Sequence, residues 1–382
     1  MSASEPWPAA EVYARFGVRR VVNAADTYTA LGGGALPGEV RAAMAGAAAH
    51  HVDVAELLAA TGAHLARLTR NEAALVVNGA AAGLALAVAA CIAGPSPAAV
   101  DHAPAHRTDR RRVVLLRCQR NPYDRAVAQA GAEIVEIGYA DATHPWQLAA
   151  ELGPRTAAVV LFAGTQFERY GLALEEVVRL AHDQQVPVII DAAAQLPPVE
   201  NLWHYTGRGA DLVLFSGGKG LRGPQSSGLV LGRAELVAAC RAHAYPNHAL
   251  GRAMKTSKEN VLGLVAAVER ALGLDWAAER GRWEAMVGRT IDALATVPGV
   301  RAWRVPSGRL GQQYPRAFFA WDEPGVTAAA LATRLAAGNP AVHIGHGEDG
   351  PRTAYVNPFV LDDPAELDLL LDRLVPALER RT

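Results

Sequence analysis

The sequence predicts an α/β protein: a mostly parallel, doubly wound sheet followed by a smaller C-terminal α+β domain. Short apolar runs recur at Val76-Val77, Val113–Leu116, Ile134–Ile137, Ala158–Phe162, Val188–Ile190 and Leu212–Phe215, with helical stretches such as Leu174–Ala181 among them. Strands that alternate with helices pair in parallel, because each helical crossover returns the chain to the same end of the sheet. After about residue 250 the pattern changes to long helices over Val261–Leu294, strands near Phe318–Trp321 and Ala354–Val356, and a closing helix over Pro364–Glu379. A chain of 382 residues, 51% hydrophobic and 20% charged, can fill one large core and one smaller core. These patterns place an N-terminal arm at 1–55, a large domain at 56–250 and a small domain at 251–382.

The individual elements follow from local chemistry. Ala73-Ala-Leu-Val-Val77 is a short strand that breaks at Asn78-Gly79 into an alanine- and leucine-rich run. That run, Gly79 to Gly94, has 16 residues, fewer than the roughly 20 needed to span a bilayer, and reads as a buried helix. Val186-Pro-Val-Ile-Ile-Asp191 is almost continuously apolar, as a strand covered on both faces must be, and it ends on a carboxylate. Ala210-Asp-Leu-Val-Leu-Phe215 is a similar run that opens into a glycine-rich segment. No internal repeat or low-complexity segment appears, and the alanine content reflects helix propensity and genomic bias.

Several function classes are disfavoured. With 37 basic and 38 acidic residues the chain lacks the cationic excess that nucleic acid or an anionic membrane would attract. Met1–Trp7 lacks the basic and apolar regions of a signal peptide, so a cytoplasmic protein is expected. Cys91, Cys118 and Cys240 are odd in number and far apart, which suggests neither a disulfide framework nor a zinc site. The twelve histidines include no H-E-x-x-H spacing, and the clusters His50-His51 and His343–His346 lack neighbouring ligands, so no metal is expected.

Three features point to pyridoxal phosphate chemistry. Lys219 stands in Phe215-Ser-Gly-Gly-Lys-Gly-Leu-Arg-Gly-Pro-Gln225, bracketed by glycines at the end of an apolar strand, a setting suited to an amine that attacks a carbonyl to form a Schiff base. Asp191 can hold a proton on the cofactor's pyridine nitrogen, and Ala193, two residues on, is small enough to lie under the ring. The separation 219 − 191 = 28 leaves room for a connection and one more strand, so both groups reach one sheet edge. Gly79, Ala80 and Ala81 then form a helix N-terminus whose free N–H groups cradle a phosphate. Each feature alone has an ordinary structural explanation, as a cap, a solvated loop lysine or a packing site. Their order and spacing together carry the cofactor reading.

Ser216-Gly-Gly-Lys-Gly-Leu-Arg-Gly-Pro-Gln225, Asn121-Pro-Tyr-Asp124 and Ile190-Asp-Ala-Ala-Ala-Gln-Leu-Pro-Pro198 resemble the selenocysteine synthase-like branch of fold-type I pyridoxal phosphate enzymes, with the D-glucosaminate-6-phosphate ammonia-lyase group the nearest in pattern. The resemblance extends from Tyr13–Ala24 to Tyr355–Leu361. It implies the fold-type I transferase fold, Lys219 as cofactor-bearing lysine and general base, and Asp191 as partner of the pyridinium. It also implies that Ser216 contacts the phosphate and that Ser226 and Ser227 reach the phosphate of a neighbouring subunit in a homodimer or larger homo-oligomer. The segment Gln119–Tyr123, with Gln119 offered as a cofactor contact, is implied to hold the group that stacks on the ring. Where many relatives place a hydroxyl in the phosphate cup this chain has Ala81, which shifts weight to backbone N–H groups and Ser216.

Loss of a substrate α-proton is common to elimination, transamination and racemisation, and the cofactor residues do not separate them. The resemblance favours an α,β-eliminating ammonia-lyase acting on an amino sugar acid or another β-hydroxy amino acid. An aminotransferase or racemase is the alternative, and a selenium transferase on seryl-tRNA a further one. Against the last, the arm begins almost at once, leaving no room for an added tRNA-binding module, and the charge is balanced. Lys255 and Lys258 in Met254-Lys-Thr-Ser-Lys258 are candidates for a substrate anion, although a solvated helix start explains them equally well. Arg352 is a candidate for the substrate carboxylate. Thr165, Gln166 and the 243–258 loop are expected to line the side-chain pocket.

Overall fold

The computed structural model of the chain describes residues 12–322 and 325–379, so Met1–Trp7, read above for a signal, lies outside the described residues. Its strands are β1 (Val21–Ala24), β2 (Ala73–Val77), β3 (Arg112–Leu116), β4 (Glu133–Ile137), β5 (Thr156–Phe162), β6 (Val188–Asp191), β7 (Leu212–Ser216), β8 (Gly228–Gly232), β9 (Val300–Val305), β10 (Arg316–Trp321), β11 (Ala341–His346) and β12 (Thr353–Val356). The chain divides into two units, one formed by Ala35–Leu274 with Arg309–Gln313, the other by the remaining described residues.

The first unit holds a seven-stranded sheet in the order β2-β8-β7-β6-β5-β3-β4, with β8 antiparallel to its neighbours and the other pairs parallel. All seven residues of β5 are buried, consistent with helices on both faces of a parallel sheet. The strand predicted from Val186 starts at Val188, because Pro187 has no N–H and joins the ladder only by accepting from Val159 N at 3.0 Å. The helix Gly79–Ala93 is apolar on every side and accordingly packs into the core of this unit.

A buried carboxylate fastens the opposite end of the sheet. Asp211, 1% exposed, accepts from Val188 N at 2.7 Å, meets His182 Nε2 at 2.8 Å and accepts from Arg233 Nη1 at 2.8 Å. Its loss orphans a buried N–H and removes a partner shared by His182 and Arg233. An Asp211→Ala variant is therefore expected to lose about 2–4 kcal/mol of stability, read as a lower urea midpoint at unchanged slope.

The second unit holds a five-stranded sheet in the order β1-β11-β12-β10-β9. β1 pairs in parallel with β11, which draws the arm into this unit and ends it at Gly34. The other division falls after Leu274 because the helix Lys258–Gly273 packs on the helices Gly38–Ala48 and Val54–Leu68. Asp275 then starts the helix Trp276–Ala295 by accepting from Ala277 N and Ala278 N at 3.0 Å each. The expected limits at 55 and 250 both fall inside the larger unit. No helix among the described residues is long and apolar enough to cross a membrane.

Candidate active site

Strands β5, β6 and β7 finish at one edge of the sheet, where open α/β folds collect their ligand groups. β6 ends on Asp191, 7% exposed, whose Oδ1 accepts from Ala193 N at 2.9 Å. Burial raises the pKa of this carboxyl, while the Ala193 N–H and the charge of Lys219 act to lower it. β7 ends on Ser216, whose N–H donates to Ala193 O at 3.4 Å. Lys219 follows in a tight loop, half-buried, with Nζ 5.9 Å from the centre of the Tyr123 ring. Asp191, Ala193, Ser216 and Lys219 are thus brought together.

The turn at Gly79–Ala81 belongs to the same neighbourhood. Gly228 pairs with Val77 on one side and Ser216 on the other, so the start of β8 links the helix N-terminus to the end of β7. Gly79 has φ +83°, and a Cβ on Gly228 would lie 2.5 Å from Gly79 C and 2.8 Å from Ala80 N. Only glycine at 228 lets the turn close over the strand. The N–H groups that open the helix Gly79–Ala93 precede any intrahelical partner and are available to an anion.

Tyr123 is the aromatic group of the Gln119–Tyr123 segment, 54% exposed, and it was not singled out within that segment. The motif Asn121-Pro-Tyr-Asp124 positions it: Asn121 Oδ1 accepts from Tyr123 N at 2.9 Å, and Asp124 Oδ2 accepts from Asn121 N at 3.3 Å and Arg120 Nε at 2.5 Å. Gln119, in contrast, is buried and spends its amide on the chain, Oε1 accepting from Phe162 N at 2.9 Å and Nε2 donating to Phe167 O at 3.4 Å. It braces the end of β5.

Other expected groups lie differently. Ser226 is exposed, with Oγ accepting from Asn260 Nδ2 at 2.9 Å, whereas Ser227 is buried and donates to Pro224 O at 2.6 Å. Lys258 donates to Ala47 O and to Glu259, both at 2.6 Å, closing the end of the helix Gly38–Ala48. These contacts hold Lys258, expected as a substrate group, against the helix end. Lys255 is exposed in the same unit. Arg352 is half-buried in the other unit, just before β12. That unit also buries Arg316 to 2% exposure, paired with Asp26 at 2.8 Å and Glu348 at 3.4 Å beneath Tyr355, a cluster the sequence reading missed. Among the described residues no group of His, Cys, Asp and Glu is placed to hold a metal ion.

Comparison with known proteins gives this geometry its context. The SelA family, described as L-seryl-tRNA selenium transferase, matches residues 123–293. A Streptomyces protein named 5'-C-glycyluridine monooxygenase-decarboxylase is 35% identical over 356 residues, 89% of this chain and 87% of that protein. The D-glucosaminate-6-phosphate ammonia lyase of Salmonella typhimurium is 35% identical over 263 residues, 68% of this chain and 69% of its own. The chain belongs to the selenocysteine synthase-like family of fold-type I pyridoxal phosphate enzymes. A solved structure of D-glucosaminate-6-phosphate ammonia-lyase superposes with a TM-score of 0.83 at 27% identity, covering 100% of both chains.

The cofactor of this family is pyridoxal phosphate, and the residues present suit it. A carboxylate as buried as Asp191, with no protein donor on Oδ2 among the described residues, calls for a cationic N–H partner. The open helix N-terminus at Gly79 suits a phosphate, and the Tyr123 ring beside Lys219 suits a flat heterocycle.

Proposed function

We propose that this enzyme is a cytoplasmic, homodimeric ammonia-lyase that removes ammonia from a β-hydroxy amino acid or amino sugar acid resembling D-glucosaminate 6-phosphate. The observation that carries the reading is the likeness to D-glucosaminate-6-phosphate ammonia-lyase, 35% identical over 68% of this chain and a TM-score of 0.83 over the full length of the solved structure. Pyridoxal phosphate, when bound, supplies a protonated ring that disperses the electron pair left on the substrate α-carbon.

In this reading the chain's own groups divide the remaining work. Lys219 would carry the cofactor through Nζ, take the α-proton and return a proton to the departing β-hydroxyl, so that water leaves and the released enamine is hydrolysed to the keto acid and ammonia. Asp191 keeps the proton on the ring nitrogen. Gly79, Ala80, Ala81 and Ser216 would hold the phosphate, and Tyr123 would offer its ring to the cofactor. Ala193 is small enough to lie under the ring. Lys255, Lys258 and Arg352 are the proposed holders of substrate anions, and Ser226, which is exposed, and Ser227 are the proposed contacts to the phosphate of a second subunit.

The test is an assay of ammonia and keto acid together, with D-glucosaminate 6-phosphate and a panel of β-hydroxy amino acids. Stoichiometric ammonia and keto acid without an amino acceptor is the expected outcome, and a strict need for a keto acid acceptor would establish an aminotransferase instead. The Streptomyces relative, which matches 89% of this chain, favours a second reading, oxidative decarboxylation of a glycyl nucleoside. Dioxygen uptake and carbon dioxide release with 5'-C-glycyluridine would select it.

A further inference from the structure

Between β9 and β10 the chain leaves the smaller unit after Gly308 and rejoins it at Tyr314, and the intervening Arg309–Gln313 belongs to the larger one. This strap is fastened at the ends of β5 and β6. Thr165 Oγ1 donates to Arg309 O at 3.1 Å, Thr165 N and Gln195 Nε2 donate to Leu310 O at 3.4 and 3.1 Å, and Gln313 N donates to Pro197 O at 3.4 Å. Leu310 N is answered within the strap by Gln312 Oε1 at 3.2 Å.

The two backbones approach so closely that side chains would separate them. A Cβ on Gly164 would stand 3.0 Å from Leu310 O, and one on Gly311 3.0 Å from Thr165 Cγ2, with φ values of +140° and +89°. Gln195 lies four residues beyond Asp191, and Thr165 three beyond Phe162, the register partner of Asp191. The strap is therefore held at the rim of the site. Next to its anchor, Gln166 has a buried Oε1 without a donor among the described residues, a sign that this rim receives a ligand's N–H or O–H.

Arg309 heads the strap and is exposed, with no ion pair among the described residues. Two arginines that follow β3, Arg117 and Arg120, are by contrast paired with Glu136, and Arg169 lies over the Tyr170 ring. We propose that Arg309, held in place by Thr165 and Gln195, is a specificity-determining residue that takes an anionic group, a phosphate or a carboxylate, on the part of the substrate distant from the reacting carbon. The inference rests on the amino sugar acid reading above and names how such a substrate is selected. Arginine suits the role because its planar donors match phosphate and carboxylate oxygens in pairs.

The experiment compares D-glucosaminate with D-glucosaminate 6-phosphate on the holoenzyme, by calorimetric affinity and by KM and kcat, in wild type, Arg309→Gln, Thr165→Val and Lys255→Gln. Wild type should prefer the phosphorylated ligand by about tenfold or more. Arg309→Gln should weaken that ligand by about tenfold to a hundredfold while leaving D-glucosaminate affinity and kcat within about twofold. Thr165→Val should lose part of the same preference, because it loosens the strap without touching the charge. Equal weakening of both ligands in Arg309→Gln, an unchanged ratio, a loss found in Lys255→Gln in its place, or a wild type that binds both alike or neither would overturn the proposal. Binding with preference but without ammonia release would defeat the lyase reading and leave Arg309 upheld. Ammonia release with an unchanged ratio in Arg309→Gln would do the reverse.

Discussion

A Lys219→Ala protein is expected to fold, to lose the visible absorbance of bound pyridoxal phosphate, and to lose turnover by on the order of 10⁵-fold, as happens when a covalent catalytic group is deleted. The fold should survive because the side chain is half-buried and its only aromatic contact among the described residues, Tyr123, stands at 5.9 Å. A cation–π contact of that exposure contributes about 0.5–1 kcal/mol. The surrounding loop is fixed by other bonds: Gly217 N donates to Ser227 O at 2.8 Å, Arg222 N to Lys219 O at 2.9 Å and Gly223 N to Gly217 O at 2.8 Å. Lys219→Arg separates charge from chemistry, since arginine keeps the cation beside Asp191 but does not condense with an aldehyde at neutral pH. Both variants should be inactive, with melting temperatures close to that of the wild-type apoprotein. Full activity and retained colour in either would remove Lys219 from the centre of the mechanism.

The features legible in the sequence are those written locally. The strands that lead to Asp191 and Lys219 announce themselves as apolar runs ending in polar residues, and the helix behind Gly79 as an apolar run opened by Asn-Gly. What stayed hidden depends on partners distant in the chain. β1 has only four residues, Val-Val-Asn-Ala, and becomes a strand because β11 lies about 320 positions later in register with it. Arg316 opens an otherwise apolar strand, and Asp26, 290 residues earlier, together with Glu348 and the Tyr355 ring, accounts for its burial. Lys258 has the look of a solvent-facing cation until Ala47 O, 211 residues away, is placed 2.6 Å from it. The glycines beside Lys219 were read as room for a cofactor, yet a Cβ on Gly218 would meet Gln225 and one on Gly220 would meet Leu196 O, so they also let the loop fold upon itself. The strap at Arg309–Gln313 left no trace, because backbone docking depends on an approach that residue types do not encode.

Asp191→Asn is expected to separate stability from catalysis in a way that identifies the carboxylate's partner. In the apoprotein burial raises the Asp191 pKa, so between its unfolded and folded values the native state binds more proton than the unfolded state and stability falls as pH rises. The isosteric amide keeps the bond from Ala193 N without the buried charge. Apo Asp191→Asn should therefore melt at or above the wild-type temperature at neutral pH, and the difference should vanish as the medium is acidified below the ordinary carboxylate range. Loading the cofactor should reverse the order, since in wild type the buried carboxylate gains a cationic N–H partner while the amide side chain favours an unprotonated ring nitrogen. Turnover should fall by about 10²- to 10³-fold, the equivalent of about 3–4 kcal/mol. Melting curves of both proteins, with and without pyridoxal phosphate across about pH 5 to 8, check the crossing directly. An apo variant less stable than wild type, with the loaded enzyme still active within about tenfold, would mean that the Asp191 charge serves the fold beside Lys219 and that the ring proton is held by another group.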